Sequence, residues 1–164
     1  MKNSLVSMVF SLLALMMLGG CATSEERAAR AAEQAAKVKA ALTARNYKIG
    51  IDHMYPMKGG AKNVSYGYSV EVRNDSLISY LPYIGRAYNV PYGGGKGLNF
   101  DAPIESYQEA QMKNGQWQIE IGLKNEEDTY HYTIKVFDNG NASIDVQPRQ
   151  RERISYSGQM EFGK

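Results

Sequence analysis

Trp117-Gln118-Ile119-Glu120-Ile121-Gly122-Leu123-Lys124 decides the fold of this chain. Its large apolar residues fall on every second position, so an extended backbone places them all on one face and the polar residues on the other. The same period of two returns in Tyr130-His131-Tyr132-Thr133-Ile134-Lys135-Val136 and in Ala142-Ser143-Ile144-Asp145-Val146. It continues from Ile154 and Tyr156 toward Met160 and Phe162. Turn-forming residues separate the runs: Asn114-Gly115, Asn125 to Asp128, and Asp138-Asn139-Gly140-Asn141. One apolar face with short connections is the mark of an antiparallel sheet.

Working toward the N-terminus, further strands are expected over 47–56, 64–73, 76–82 and 104–113, with Asn74-Asp75 turning the second pair. Tyr66, Tyr68, Val70 and Val72 make one more apolar row. The sum is an all-β domain over 47–164, an antiparallel meander of about eight strands with no helical crossover to make any pair parallel. Neighbouring strands in that order close into a barrel of the calycin or lipocalin kind, or remain a strongly curved open sheet.

Before the sheet, residues 23–45 are Ala-rich and charged, with neither Gly nor Pro. That composition favours helix. Thr23 and Glu26 have capping-box spacing, and Glu26/Arg30 and Glu33/Lys37 are i,i+4 pairs. Asn46 is the expected C-terminal stop. Val38 and Leu42 are the only large apolar residues in this helix, so it reads as a tether over 21–46 that docks weakly or spans about 30 Å as a spacer.

The first twenty residues have a different character. Lys2 precedes an apolar run from Leu5 to Leu18, too short to span a bilayer comfortably, and Leu18-Gly19-Gly20-Cys21 follows. This resembles the processing site of a bacterial lipoprotein, with Gly19 an uncommon choice. The resemblance implies a signal peptide over 1–20, cleavage before Cys21, a diacylglyceryl group on its sulfur and acylation of the new amine, palmitate-type chains included. Two or more acyl chains anchor stably at roughly 0.8 kcal/mol per buried CH₂. Cys21 is the only cysteine, so no disulfide forms within the chain. The near-neutral formal charge of +2 gives no reason to expect nucleic acid, which favours a concentrated basic face.

Candidate functional residues crowd into one unusual segment. Tyr80, Tyr83, Tyr88 and Tyr92 flank Arg86 and lead into Gly93-Gly94-Gly95-Lys96-Gly97. Tyrosine offers a rigid ring with a polar tip, and arginine stacks on such rings or clamps a carboxylate. The segment therefore reads as a ligand-binding loop or as a cover for one end of the sheet. It is no phosphate loop: Gly97 stands where Walker A needs Ser or Thr, and no helix start follows. Arg149, Arg151 and Arg153 alternate and, if they lie in a strand, share one face fit for an acidic ligand or lipid headgroups; the competing reading is a solvated edge. His53 and His131 lack zinc-site spacing, and no Gly-x-Ser-x-Gly elbow occurs. No cofactor, metal site or catalytic residue is assigned from the sequence, which reads as a non-enzyme.

The Leu81-Pro82-Tyr83-Ile84-Gly85-Arg86-Ala87-Tyr88 run, together with Trp117-Gln118-Ile119, Asn139-Gly140 and Ile154-Ser155-Tyr156-Ser157-Gly158, resembles a family of lipoproteins of Bacteroides-type bacteria catalogued as domain of unknown function 4251. The likeness covers roughly residues 47–160. It implies a Gram-negative envelope and an outer-membrane destination, and it supplies no activity to carry over. Ala22 follows the cysteine where an Asp would signal inner-membrane retention. Ser24-Glu25-Glu26 weakly resembles the acidic surface-export tag of such bacteria, leaving periplasmic and surface-facing placements both open. The resulting expectation is a lipid-anchored envelope protein that binds a small-molecule or protein ligand. The alternatives are a structural protein docking to a protein partner, or an envelope hydrolase.

Overall fold

The structure is a computed structural model that describes residues 23–162 apart from 66, 90–94 and 113. Helix α1 (Ser24–Thr43) leads into nine strands: β1 (Asn46–Pro56), β2 (Lys62–Asn63), β3 (Ser69–Arg73), β4 (Ser76–Leu81), β5 (Leu98–Gln111), β6 (Gln116–Lys124), β7 (Thr129–Phe137), β8 (Asn141–Pro148) and β9 (Ile154–Glu161). All pairings are antiparallel, and each strand from β3 onward pairs with the next. β1 pairs with β3 on one side and with β9 on the other, so the meander closes into an eight-stranded barrel, with β2 a short addition to the outer end of β1.

The alternation read from the sequence is the inside–outside pattern of this barrel. Ile119, Ile121, Leu123, Tyr132, Ile134, Val136, Ile144 and Val146 are all fully buried. Side chains occupy the interior, and its large polar members are satisfied. Tyr132 donates to Ser79 Oγ at 3.0 Å, Ser79 donates to the Leu98 carbonyl at 2.7 Å, and Tyr156 donates to the Pro82 carbonyl at 2.7 Å. Burial pushes the Tyr132 and Tyr156 hydroxyls well above the ordinary tyrosine range, so both stay protonated donors.

Two strand boundaries differ from the sequence reading. β3 is confined to 69–73 rather than 64–73, and β5 starts at Leu98, six residues before the expected 104. Phe100-Asp101-Ala102-Pro103 reads as extended or turn-like, and it is extended, pairing with β4 along its whole length and ending at Ser76↔Pro103. Proline is accommodated there because it stands at the last residue of that pairing.

Of the two arrangements open to helix α1, docking or a free spacer, its second half takes the first. One compact unit takes in Glu33–Lys164, so the second half of the helix folds with the barrel. Val38 and Leu42 are fully buried in its core. Arg45, with φ of 48°, forms the left-handed stop one residue before Asn46, and its carbonyl accepts the Asn74 N–H at 2.8 Å. The helix thus enters at the barrel end that carries the β3–β4, β5–β6 and β7–β8 turns. The strand ends Pro56, Leu81, Lys124 and Pro148, and the starts of the strands that follow them, all lie at the opposite end, since successive connections of an antiparallel meander alternate between ends.

Candidate functional site

The loop end gathers most of the residues singled out by sequence. The segment after β4 turns back across the mouth and pairs briefly with the β8–β9 connection. Ala87 bridges Arg151, Tyr88 N–H donates to the Gln150 carbonyl at 2.8 Å, and Glu152 N–H donates to the Arg86 carbonyl at 2.9 Å. Tyr83 pins this ribbon. Its hydroxyl lies 2.9 Å from the Glu152 carbonyl and 3.1 Å from that of Arg86, its one proton serving either. Partial burial pushes the Tyr83 hydroxyl upward, so it remains a donor.

Arg151 lies beneath this ribbon. It is only 6% exposed, and its guanidinium carbon stands 5.9 Å from the centroid of the Tyr83 ring. Nη2 donates to Glu127 Oε2 at 3.2 Å, while Nε is buried without a partner among the described residues. Glu127 is held in turn by the Lys96 N–H at 2.9 Å. The backbone passes so close here that a Cβ on Gly95 would stand 2.8 Å from Glu127 and 3.1 Å from Arg151, and its φ of 66° independently favours glycine.

Asp128 fixes the position of the arginine run. Its carboxylate is buried and accepts N–H bonds from Thr129 at 2.7 Å, Arg149 at 3.1 Å and Gln150 at 3.0 Å. Asn125 closes the turn below by accepting the Glu127 and Asp128 amides at 2.8 and 2.9 Å. Asp128→Ala leaves these amides without their carboxylate, at about 2 kcal/mol for buried donors bonded to a charge. Chemical denaturation is expected to show that loss, with faster amide exchange at Gln150. Asp128→Asn keeps one acceptor oxygen and should lose less.

Two grooves flank Arg151. One, of about 290 Å³, is lined by Tyr68, Tyr80, Tyr83, Lys96, Asn99 and Arg151, with Tyr68 and Tyr80 stacked at 5.1 Å between centroids. The other, of about 390 Å³, is lined by Met57, Tyr88, Gln147, Arg149, Arg151 and Arg153, together with Pro148 and Glu152. Exposed large apolar side chains concentrate at this end: Met57 is 60%, Tyr80 52% and Tyr88 68% exposed, with Tyr55 and Ile84 nearby in the chain.

Of the expected site residues, Tyr80, Tyr83, Arg86 and Tyr88 lie at this end, with Tyr83 a structural pin and Tyr80 and Tyr88 presented outward. Tyr92 and Cys21 lie outside the described residues. Arg149, Arg151 and Arg153 line one groove, but they sit in the β8–β9 connection rather than in a strand, and Arg151 alone is buried. Met57, Tyr68, Lys96, Glu127 and Asp128 were not anticipated as members. Glu127 and Asp128 read as ordinary turn acids, and their partners are distant in sequence. His131 lies on the barrel's outer face, 2.7 Å from Glu120. No cluster of metal-ligating side chains occurs among the described residues.

The sequence model of a family described as Domain of unknown function (DUF4251) matches residues 29–160. Among solved structures, the fold is similar to the crystal structure of a DUF4251 family protein from Bacteroides eggerthii. The two share 16% identity and a TM-score of 0.60, over 77% of this chain and 86% of that one. No curated protein matches.

Proposed function

The chain belongs to the DUF4251 family, whose activity is undefined, and we propose that it is a lipid-anchored envelope protein that captures a ligand at the loop end of its barrel without transforming it. The observation that carries this reading is Arg151, buried between two grooves and roofed by an aromatic ribbon. The polar groups around it are committed to holding the scaffold: Tyr83 to backbone carbonyls, Glu127 to Arg151 and the Lys96 amide, Asp128 to loop amides. Rigid rings beside arginine are the composition of recognition surfaces. Leu18-Gly19-Gly20-Cys21 supports acylation of Cys21, and Ala22 after it favours the outer membrane. The chain enters the barrel opposite the loops, which leaves the loop end clear of that entry.

The test uses the acylated protein isolated from native envelopes. Mass spectrometry is expected to find Cys21 as the acylated first residue. Tyr80→Ala/Tyr88→Ala removes two outward rings and should reduce co-isolated material at least tenfold, a modest demand at about 1.4 kcal/mol. The melting temperature should stay unchanged. Undiminished capture would remove the loop end as the recognition surface, and an unmodified thiol would remove the anchor. A structural protein docking to a protein partner is the second reading, favoured by side chains occupying the barrel interior. A stoichiometric protein in the captured material would select it over a small ligand.

A further inference from the structure

We propose that the groove between Met57, Tyr88 and the three arginines is a binding site for a phosphate ester, its oxyanion held by Arg149, Arg151 and Arg153 and its organic body lying against Tyr88 and Met57. The inference deepens the loop-end reading by naming the ligand class of one of its two grooves. Arg149, Arg151 and Arg153 all line a space of about 390 Å³. One bidentate arginine satisfies a carboxylate, whereas a phosphate presents enough oxygens for several. The acids nearby are already engaged. Glu127 pairs with Arg151 at 3.2 Å, Glu152 Oε2 accepts the Arg86 N–H at 3.1 Å, and the Asp128 carboxylate accepts the Arg149 and Gln150 amides. Arg149 and Arg153 are left exposed at the groove.

A second observation points the same way. Arg151 is more than nine-tenths buried, yet Nε has no partner among the described residues and Glu127 engages only Nη2. The guanidinium is held in place by Glu127 and the Tyr83 ring, so it is oriented before any ligand arrives. Asp128 adds to that preorganisation by fixing the backbone at Arg149 and Gln150. Exposed Met57 and Tyr88 border the cations directly, an arrangement suited to a ligand that is anionic at one end and apolar at the other.

The phosphate ester has two available sources, a soluble metabolite-like ester or a phospholipid headgroup, and the experiment separates them. The full acylated chain in neutral detergent micelles is treated with phenylglyoxal, and modification of each arginine is read by peptide mass spectrometry. Glycerol 3-phosphate is added in one arm, and phosphatidylglycerol is doped into the micelles in another. Glucuronate serves as the carboxylate control, and the exposed helix residues Arg27 and Arg30 as internal references. Modification at Arg149 and Arg153 is expected to slow at least fivefold with a phosphate ester while Arg27 and Arg30 are unaffected. In Arg149→Gln the protection at Arg153 should disappear. Protection in the doped micelles alone assigns a lipid headgroup, and protection by glycerol 3-phosphate assigns a soluble ester. No slowing in either arm, equal slowing by glucuronate, or equal slowing at the helix arginines would overturn the proposal. Loss of capture in Tyr80→Ala/Tyr88→Ala would still stand in that case, so failure here is distinguishable from failure of the loop-end reading.

Discussion

Gly158→Ala is expected to destabilise the domain by about 3 kcal/mol and lower its melting temperature by roughly 10 °C, the upper range for an added atom in a packed site. Gly158 lies on β9 opposite Ile51, in the pairing that closes the barrel, where the register shifts between Ile51 and His53. A Cβ there would stand 1.8 Å from the Gly50 carbonyl oxygen, 2.8 Å from its carbon and 3.0 Å from Ile51 Cα. All three are backbone atoms of the partner strand, so relief requires moving the strand. Parting β1 from β9 also exposes two unpaired strand edges. Gly158 has no positive φ, so the expected loss is steric rather than conformational. Gly50→Ala is the matched control on the other side of the seam. The three atoms nearest its Cβ would all belong to the Glu161 side chain, with Oε1 at 2.6 Å, and that half-exposed side chain, paired with Lys48 at 2.9 Å, can shift more readily than a strand backbone. The control should change stability by less than about 1 kcal/mol, helped by the lower entropy of the unfolded chain. Thermal and urea denaturation of the two variants, run together, test the asymmetry. Equal midpoints would mean that the seam tolerates the extra atom.

The alternating runs at 117–123, 130–136 and 142–146 were legible because each strand has one face in a filled barrel, so the chemistry of every second residue is dictated. Closure was legible only as a preference. Nothing local in β1 announces that it pairs with β9, more than a hundred residues away. The start of β5 was hidden because Asn99, Asp101 and Pro103 carry turn chemistry, and the cross-strand pairing to β4 overrides it. The site divides in the same way. An unusual density of tyrosine marked the loop, but which ring would pin it and which would point outward depends on carbonyls at Arg86 and Glu152. The arginine alternation suggested a shared face, whereas the burial of Arg151 depends on Glu127, 24 residues away. Sequence located the cations and rings but not the carboxylates that hold them.

Leu42→Ala is expected to destabilise the domain by about 3 kcal/mol, the cost of a cavity at a fully buried leucine. Sequence composition argues for a much smaller loss, since Val38 and Leu42 are the only large apolar residues in a helix otherwise made of alanine and polar or charged residues. The two are four apart and therefore share one face, and both have no exposed surface. Two residues suffice because the helix needs to cover only one end of a barrel whose walls are already closed. The docking is reinforced where the helix ends: Arg45 accepts the Asn74 amide at 2.8 Å and its guanidinium carbon stands 4.3 Å over the Tyr107 ring. Tyr107 and Tyr47 approach at 3.4 Å between hydroxyls, and burial pushes Tyr107 up to about 12, so this end keeps its neutral, bonded form through the physiological range. Lys39→Ala, on the exposed side of the same turn, should change stability by less than about 0.5 kcal/mol. A large loss for Leu42→Ala beside a silent Lys39→Ala makes the second half of the helix part of the folded domain. Two silent variants would return it to the role of a spacer, and the barrel would then have to keep the end opposite its loops closed without it.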